Sequence, residues 1–259
     1  MEEYCLICED SIDGILTAIY EAYQIKKNEG IESHDRIHID TKQPHTLRLC
    51  THYESIITDM VKSGKVSRTI KQELGQDTFY DLCLAMLSHE EGKADAVYHT
   101  IVTGLRFHDR QVLQRLQELP VHHTFSCARG SNNELLHLKG FLRFEELDNG
   151  ILYAKIAPKN NILAFLMPHF SDRLPSDNFV ILDENRRLFG LHPKQQQWYM
   201  VSGQEFDEDR LVFSKEEQIY QELFVHFCEK IAIEARKNPK LQMNMLPLRF
   251  RPYMVEFRE

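Results

Sequence analysis

A chain of 259 residues with 42% hydrophobic and 27% charged residues has the composition of a soluble globular protein, long enough to bury a substantial core in one large domain or two small ones. Its net charge of −8 excludes nucleic-acid wrapping by bulk charge, so any such contact must be a local patch. No apolar run approaches the roughly 18 residues of a membrane span, and the acidic start Met1-Glu2-Glu3-Tyr4 has no basic leader region. Six scattered cysteines are too few for a disulfide scaffold, which makes a reduced, cytoplasmic setting without membrane attachment the expectation.

In chain order, Tyr4-Cys5-Leu6-Ile7-Cys8 reads as a short buried strand followed by an acidic turn. Ile12, Ile15, Leu16, Ile19, Tyr20 and Tyr23 then recur at helical spacing, and Gly30 closes that helix. Arg36-Ile37-His38-Ile39-Asp40 alternates like a second strand, which predicts a βαβ unit with a right-handed crossover. From Glu54 to His137 the pattern is mostly helical. One stripe is Ile56, Ile57, Met60 and Val61; another is Phe79, Leu82, Cys83, Met86 and Leu87. Val97, Ile101, Val102 and Leu105 form a third, and Val112, Leu113 and Leu116 a fourth that Pro120 kinks or breaks.

Beyond Leu138 the pattern changes. Gly140–Phe144 and Ile151–Ile156 predict a hairpin around Asp148-Asn149-Gly150, because an Asn-Gly pair accepts the positive φ of a tight turn. Ile162–Phe170 predicts a short helix, and Phe179–Leu182 with Arg187–Leu191 a second hairpin. A long helix is expected from Ser214 to Lys237, with Ser214 and Glu217 as a capping box and Ile219, Leu223, Phe227 and Ile231 as its buried face. The expected fold is therefore α/β or α+β. Residues 1–138 hold the strand–helix–strand and helical region; residues 139–259 hold the hairpins, the long helix and a basic strap, joined with the first part in one compact unit.

Candidate chemistry is sparse. Cys5 and Cys8 lie three apart on a strand and point to opposite faces, so they read as structural thiols rather than a metal pair. Glu9, Asp10 and Asp13 cluster where open α/β sheets place ligands, one of them suited to cap the helix. Glu134/His137 and Glu222/His226 can each share a helix face, but a di-metal bundle needs more such elements, so no metal and no cofactor is assigned. No triad, P-loop or dinucleotide glycine motif is legible, and whether the chain is an enzyme stays open. If it is one, Glu134, His137 and His169 are the acid/base candidates.

The most biased segment is the C-terminus. Arg236 to Glu259 carries six Lys/Arg against two Asp/Glu, a local +4 that leaves −12 on the remainder. Interleaved arginines and aromatics suit phosphate contact and base stacking, while a strap pinned to the core by its aromatics is the heavier alternative on spacing alone.

Asp13-Gly14-Ile15-Leu16 with Glu21-Ala22-Tyr23, the junction Glu134-x-x-His137-x-Lys139-Gly140-Phe141-Leu142-Arg143-Phe144, Pro168-His169-Phe170, and Ile231–Gln242 with its Arg236-Lys237-Asn238-Pro239 run together resemble an uncharacterised bacterial family assigned to DNA metabolism and repair. Members are encoded beside a radical S-adenosylmethionine protein and in some species are fused to a uracil-DNA glycosylase-like domain. The resemblance spans nearly the whole chain. This chain departs from the family where Leu138 replaces a basic residue and Phe250-Arg251 replaces a Tyr-Trp pair. It implies a DNA repair or modification accessory protein with DNA and a radical S-adenosylmethionine protein as partners. Lys139, Arg143, Arg173, Arg236, Lys237, Arg249 and Arg251 would contact phosphate, and Phe250 and Tyr253 would stack. An enzyme of unknown chemistry and a protein–protein adaptor docked through the strap are the alternatives.

Overall fold

Parallel strands need a crossover, and the first forty residues supply one. β1 (Glu3–Ile7) leads into α1 (Ile12–Asn28), and β2 (Ile37–Asp40) returns parallel to β1, with Tyr4 opposite Ile37 and Leu6 opposite Ile39. The expected βαβ unit is present. The computed structural model describes residues 3–43, 46–203, 211–233, 236 and 238–257. It divides into two compact units, Met1–Asn133 and Glu134–Glu259.

In the first unit α1 buries Ile15, Leu16 and Ile19, the core of the stripe read from sequence, together with Ala22. Its N-cap is Ser11, whose Oγ accepts the Gly14 N–H at 3.0 Å; the acidic residues beside it leave that role to the hydroxyl. Gly14 is required by packing, because a Cβ there would collide with the Glu9 carbonyl oxygen.

A third parallel strand, β3 (Thr51–Ser55), pairs with the other side of β1 and gives the order β2-β1-β3. Its Thr-His-Tyr-Glu-Ser sequence lacks apolar alternation because it is a largely exposed edge strand. Ile56 extends that strand rather than opening a helix. It continues the ladder, donating its N–H to the Ile7 carbonyl at 2.8 Å, so it cannot share a helix face with Met60. α2 (Met60–Glu73) begins only after its Asp59 cap, and Ile57, Met60 and Val61 are 89%, 67% and 68% exposed.

α3 (Gln76–Met86) buries Leu82, Cys83 and Met86, and α4 (Lys93–Phe107) buries Val97 and Ile101, as their stripes predict. Val112–Gln114 is a 3₁₀ turn rather than a fourth helix. Pro120 does not break a helix; it sits in the first turn of α5 (Leu119–Phe141), where a missing N–H costs nothing.

In the second unit β4 (Glu145–Glu146), β5 (Leu152–Ile156), β6 (Phe179–Asp183), β7 (Leu188–His192) and β8 (Tyr199–Ser202) form one sheet in that order. The two expected hairpins are not separate. β5 and β6 pair in parallel across the α6 crossover (Leu163–Arg173), while β4/β5, β6/β7 and β7/β8 are antiparallel. The turn at Asn149-Gly150 stands, with Gly150 at φ 76°. The strand expected at Gly140–Phe144 does not: α5 continues through Phe141, and Leu135, Leu138 and Leu142 satisfy a helical burial pattern equally well.

α7 (Lys215–Ile231) is capped by Ser214, which accepts the Glu217 N–H at 3.0 Å, while the Glu217 carboxylate instead takes the Glu146 N–H. Its expected buried face is solvent-facing: Ile219, Leu223, Phe227 and Ile231 are 56–58% exposed. Next comes α8 (Pro239–Met245), followed by 3₁₀ turns at Leu248–Tyr253 and Val255–Phe257. Among the described residues, no helix is long and apolar enough to cross a membrane.

Gly14→Ala is expected to destabilise the first unit by at least the roughly 1–3 kcal/mol of overpacking, since the obstacle is backbone. Gly130→Ala, whose added Cβ meets nothing, is expected to raise stability by about 0.5–1 kcal/mol. Urea unfolding followed by circular dichroism compares the two.

Candidate functional site

In the second unit the sequence candidates separate into structural and accessible groups. Glu134, on α5, is 1% exposed, and both its carboxylate oxygens are engaged. Oε1 accepts the Lys159 N–H at 3.0 Å and lies 3.0 Å from Arg249 Nη1; Oε2 accepts the Asn160 N–H at 2.9 Å and its side-chain amide at 2.7 Å. A carboxylate so surrounded holds three segments together and has no lone pair aimed at a substrate. The ring of His137 stacks on Phe141 and meets Phe250 edge-on, with centroids 5.6 Å away in each case. The i, i+3 spacing of Glu134 and His137 thus supports packing.

The C-terminal arginines are mostly committed. Arg249 pairs with Glu134 and lies over the Phe250 ring, and Arg143 pairs with Glu256 at 2.8 Å. Arg251 lies 4.9 Å over the ring of Phe257. Phe250 is 5% exposed and packed against His137 and Phe141, so its ring presents no face for a base: this corrects the stacking role expected for it. Tyr253 donates its hydroxyl to Glu184 at 2.9 Å. The strap reading of Leu248–Phe257 matches these contacts.

Lys139, Arg173 and His169 form the other group. Lys139 lies in the last turn of α5, while His169 and Arg173 lie four apart on α6. Burial, then the positive charges of Lys139 and Arg173, lower the His169 pKa against the weaker opposing effect of Asp172. Among the described residues neither cation has an ion-pair partner, and Arg173 is exposed. Arg236 is exposed elsewhere in the chain, and Lys237 lies outside the described residues.

The first unit holds a cluster that sequence reading missed. His38 Nδ1 lies 3.3 Å from Asp95 Oδ1, and His99 Nε2 lies 3.6 Å from the same oxygen. The Ile39 N–H donates to that oxygen at 3.1 Å, so Asp95 covers the outer edge of β2. Burial works to raise the Asp95 carboxyl, but the two imidazoles outweigh it and hold the group well below the usual carboxylate range. The hydrogen bond to Asp95 in turn raises the His38 pKa. Beside it, His34 Nδ1 lies 2.5 Å from the Tyr98 hydroxyl. A cleft of about 930 Å³ runs past Tyr23, His34, His99, Phe107 and Glu118. The available signal was Asp95 and His99 at i, i+4, which share a helix face; their partner on a strand 57 residues earlier was not predictable from spacing.

The acidic turn is internally satisfied. Asp10 pairs with the buried Lys93 at 2.6 Å, Glu9 accepts from Thr58, and Asp13 accepts from Ser63. Cys5 and Cys8 are free thiols, with burial pushing Cys8 up to about 12.

The model of a protein family described as a domain of unknown function, DUF4130, matches residues 91–256. No curated protein matches the chain.

Glu134→Ala is expected to destabilise the second unit by about 3–5 kcal/mol, because it strands Arg249 and three N–H donors. Chemical denaturation checks this. His34 gives a pH test: burial, then Lys26 and His99, push it down to about 4, so the folded ring is neutral where an unfolded imidazole protonates near 6.5. The unfolded state then binds more protons, and stability is expected to fall as pH drops from about 6.5 to about 4. Urea midpoints for the wild type and His34→Gln across that range should diverge, the variant being flatter.

Proposed function

We propose that this chain, which belongs to the DUF4130 family of unknown function, binds nucleic acid as a cytoplasmic accessory protein of DNA repair or modification. The observation that carries the reading is that Lys139 and the exposed Arg173 have no ion-pair partner among the described residues, while their positive charges both lower the His169 pKa. A protein of charge −8 repels a polyanion in bulk, so binding requires cations that no acidic neighbour neutralises. Arg143 and Arg249 are paired with Glu256 and Glu134, so the cations proposed to bind are Lys139, Arg173 and the exposed Arg236, with Lys237 beside it in sequence. A phosphate beside His169 would oppose the two positive charges and draw a hydrogen bond from the ring.

A radical S-adenosylmethionine protein as partner rests on the family resemblance. The uncovered apolar stripe of α7, Ile219, Leu223, Phe227 and Ile231, supports protein docking alongside nucleic-acid contact. An acid–base enzyme built on Glu134 is disfavoured by that carboxylate's complete set of partners.

The test is binding to single- and double-stranded DNA across a salt series. For duplex, replacing two phosphate-contacting cations in Lys139→Ala/Arg173→Ala is expected to reduce the slope of log K against log salt by about 1.8. Undetectable binding at low salt, or an unchanged slope in the double variant, would remove this function.

A further inference from the structure

We propose that His38, Asp95 and His99 form a binding site for one divalent transition-metal ion of the zinc or iron(II) kind. The proposal is independent of the nucleic-acid reading, whose residues lie in the other unit.

The donor atoms of the three side chains all lie within 4.8 Å of one another. In a tetrahedral complex with metal–ligand bonds of about 2.0–2.1 Å, neighbouring donor atoms stand about 3.3–3.4 Å apart. The His38–Asp95 and His99–Asp95 separations, 3.3 and 3.6 Å, are close to that edge length. As hydrogen bonds they are poor: the first is long and the second is beyond reach. A carboxylate oxygen that gathers two imidazole nitrogens at the separations of neighbouring ligands is suited to share an ion with them.

The scaffold is also that of a held site. Asp95 and His99 project from one face of α4 at i, i+4, and His38 comes from β2. The Ile39 N–H fixes the Asp95 carboxylate from outside the ligand set, as supporting groups do in metal sites. Two imidazoles and one carboxylate favour zinc or iron(II) over magnesium or calcium, which prefer all-oxygen sets. Three protein ligands leave a coordination position for water or substrate. His99 is also a wall residue of the 930 Å³ cleft, so a small molecule bound there reaches the same imidazole.

Full-length protein stripped with a chelator would be titrated with Zn²⁺, with Fe²⁺ without oxygen, and with Mg²⁺, by calorimetry and elemental analysis. The expected result is one Zn²⁺ or Fe²⁺ per chain, no stoichiometric Mg²⁺, and visible d–d absorption when Co²⁺ is substituted. His38→Ala and His99→Ala, checked for folding by circular dichroism, are each expected to weaken binding by about 100-fold or more. Cys8→Ser should leave it unchanged. The wild type supplies a measurement free of folding effects: Zn²⁺ should protect His38 and His99, but not the exposed His108, from diethyl pyrocarbonate. No stoichiometric binding of either metal, binding that survives both histidine variants, or absence of that protection would overturn the site.

Discussion

The second unit depends on one buried carboxylate. Glu134 accepts from the backbone of Lys159 and Asn160, from the Asn160 amide and from Arg249, so it ties the end of α5, the loop after β5 and the C-terminal turn to a single point. A charge buried this deeply is tolerated only when its lone pairs are filled by well-placed donors. That requirement orders the Lys159-Asn160 loop and fixes the Leu248–Tyr253 turn as a strap. His137, one turn along α5, then completes the arrangement by packing between Phe141 and Phe250.

The same economy of charge separates structural from accessible cations. Arginines adjacent in sequence to aromatics looked alike as phosphate contacts. Arg249 and Arg143 are held by Glu134 and Glu256, whereas Lys139 and Arg173 act on His169 without an acidic pair among the described residues. In the first unit the edge of β2 imposes a comparable constraint. An edge N–H needs a partner, and Asp95 of α4 supplies it for Ile39. Meeting that need brings the carboxylate beside His38 and, through helical spacing, beside His99.

Much of the fold was legible where the signal is local. The βαβ start, the α3 and α4 stripes, the Asn149-Gly150 turn, the α6 helix and the β6–β7 hairpin all arise from periodicity, capping and turn chemistry. Failures share a cause. β3 is polar because it is an edge, so it carries no alternation to read. Gly140–Phe144 fits both a strand and a helix end, and only the continuing helical burial of Leu138 and Leu142 separates them. The α7 stripe is a true helical period, yet a period does not say whether a surface covers it.

The candidate sites divide in the same way. Sequence alone determined which residue types could carry charge, which spacings share a helix face, and that any nucleic-acid contact must be local on an acidic chain. Tertiary structure alone decided that Glu134 and Phe250 are internal, that Arg143 and Arg249 are paired with acidic groups, and that His38 joins Asp95 and His99. The reason is physical. Secondary structure is set by interactions a few residues apart, whereas burial, ion pairing and ligand geometry depend on residues that only folding brings together.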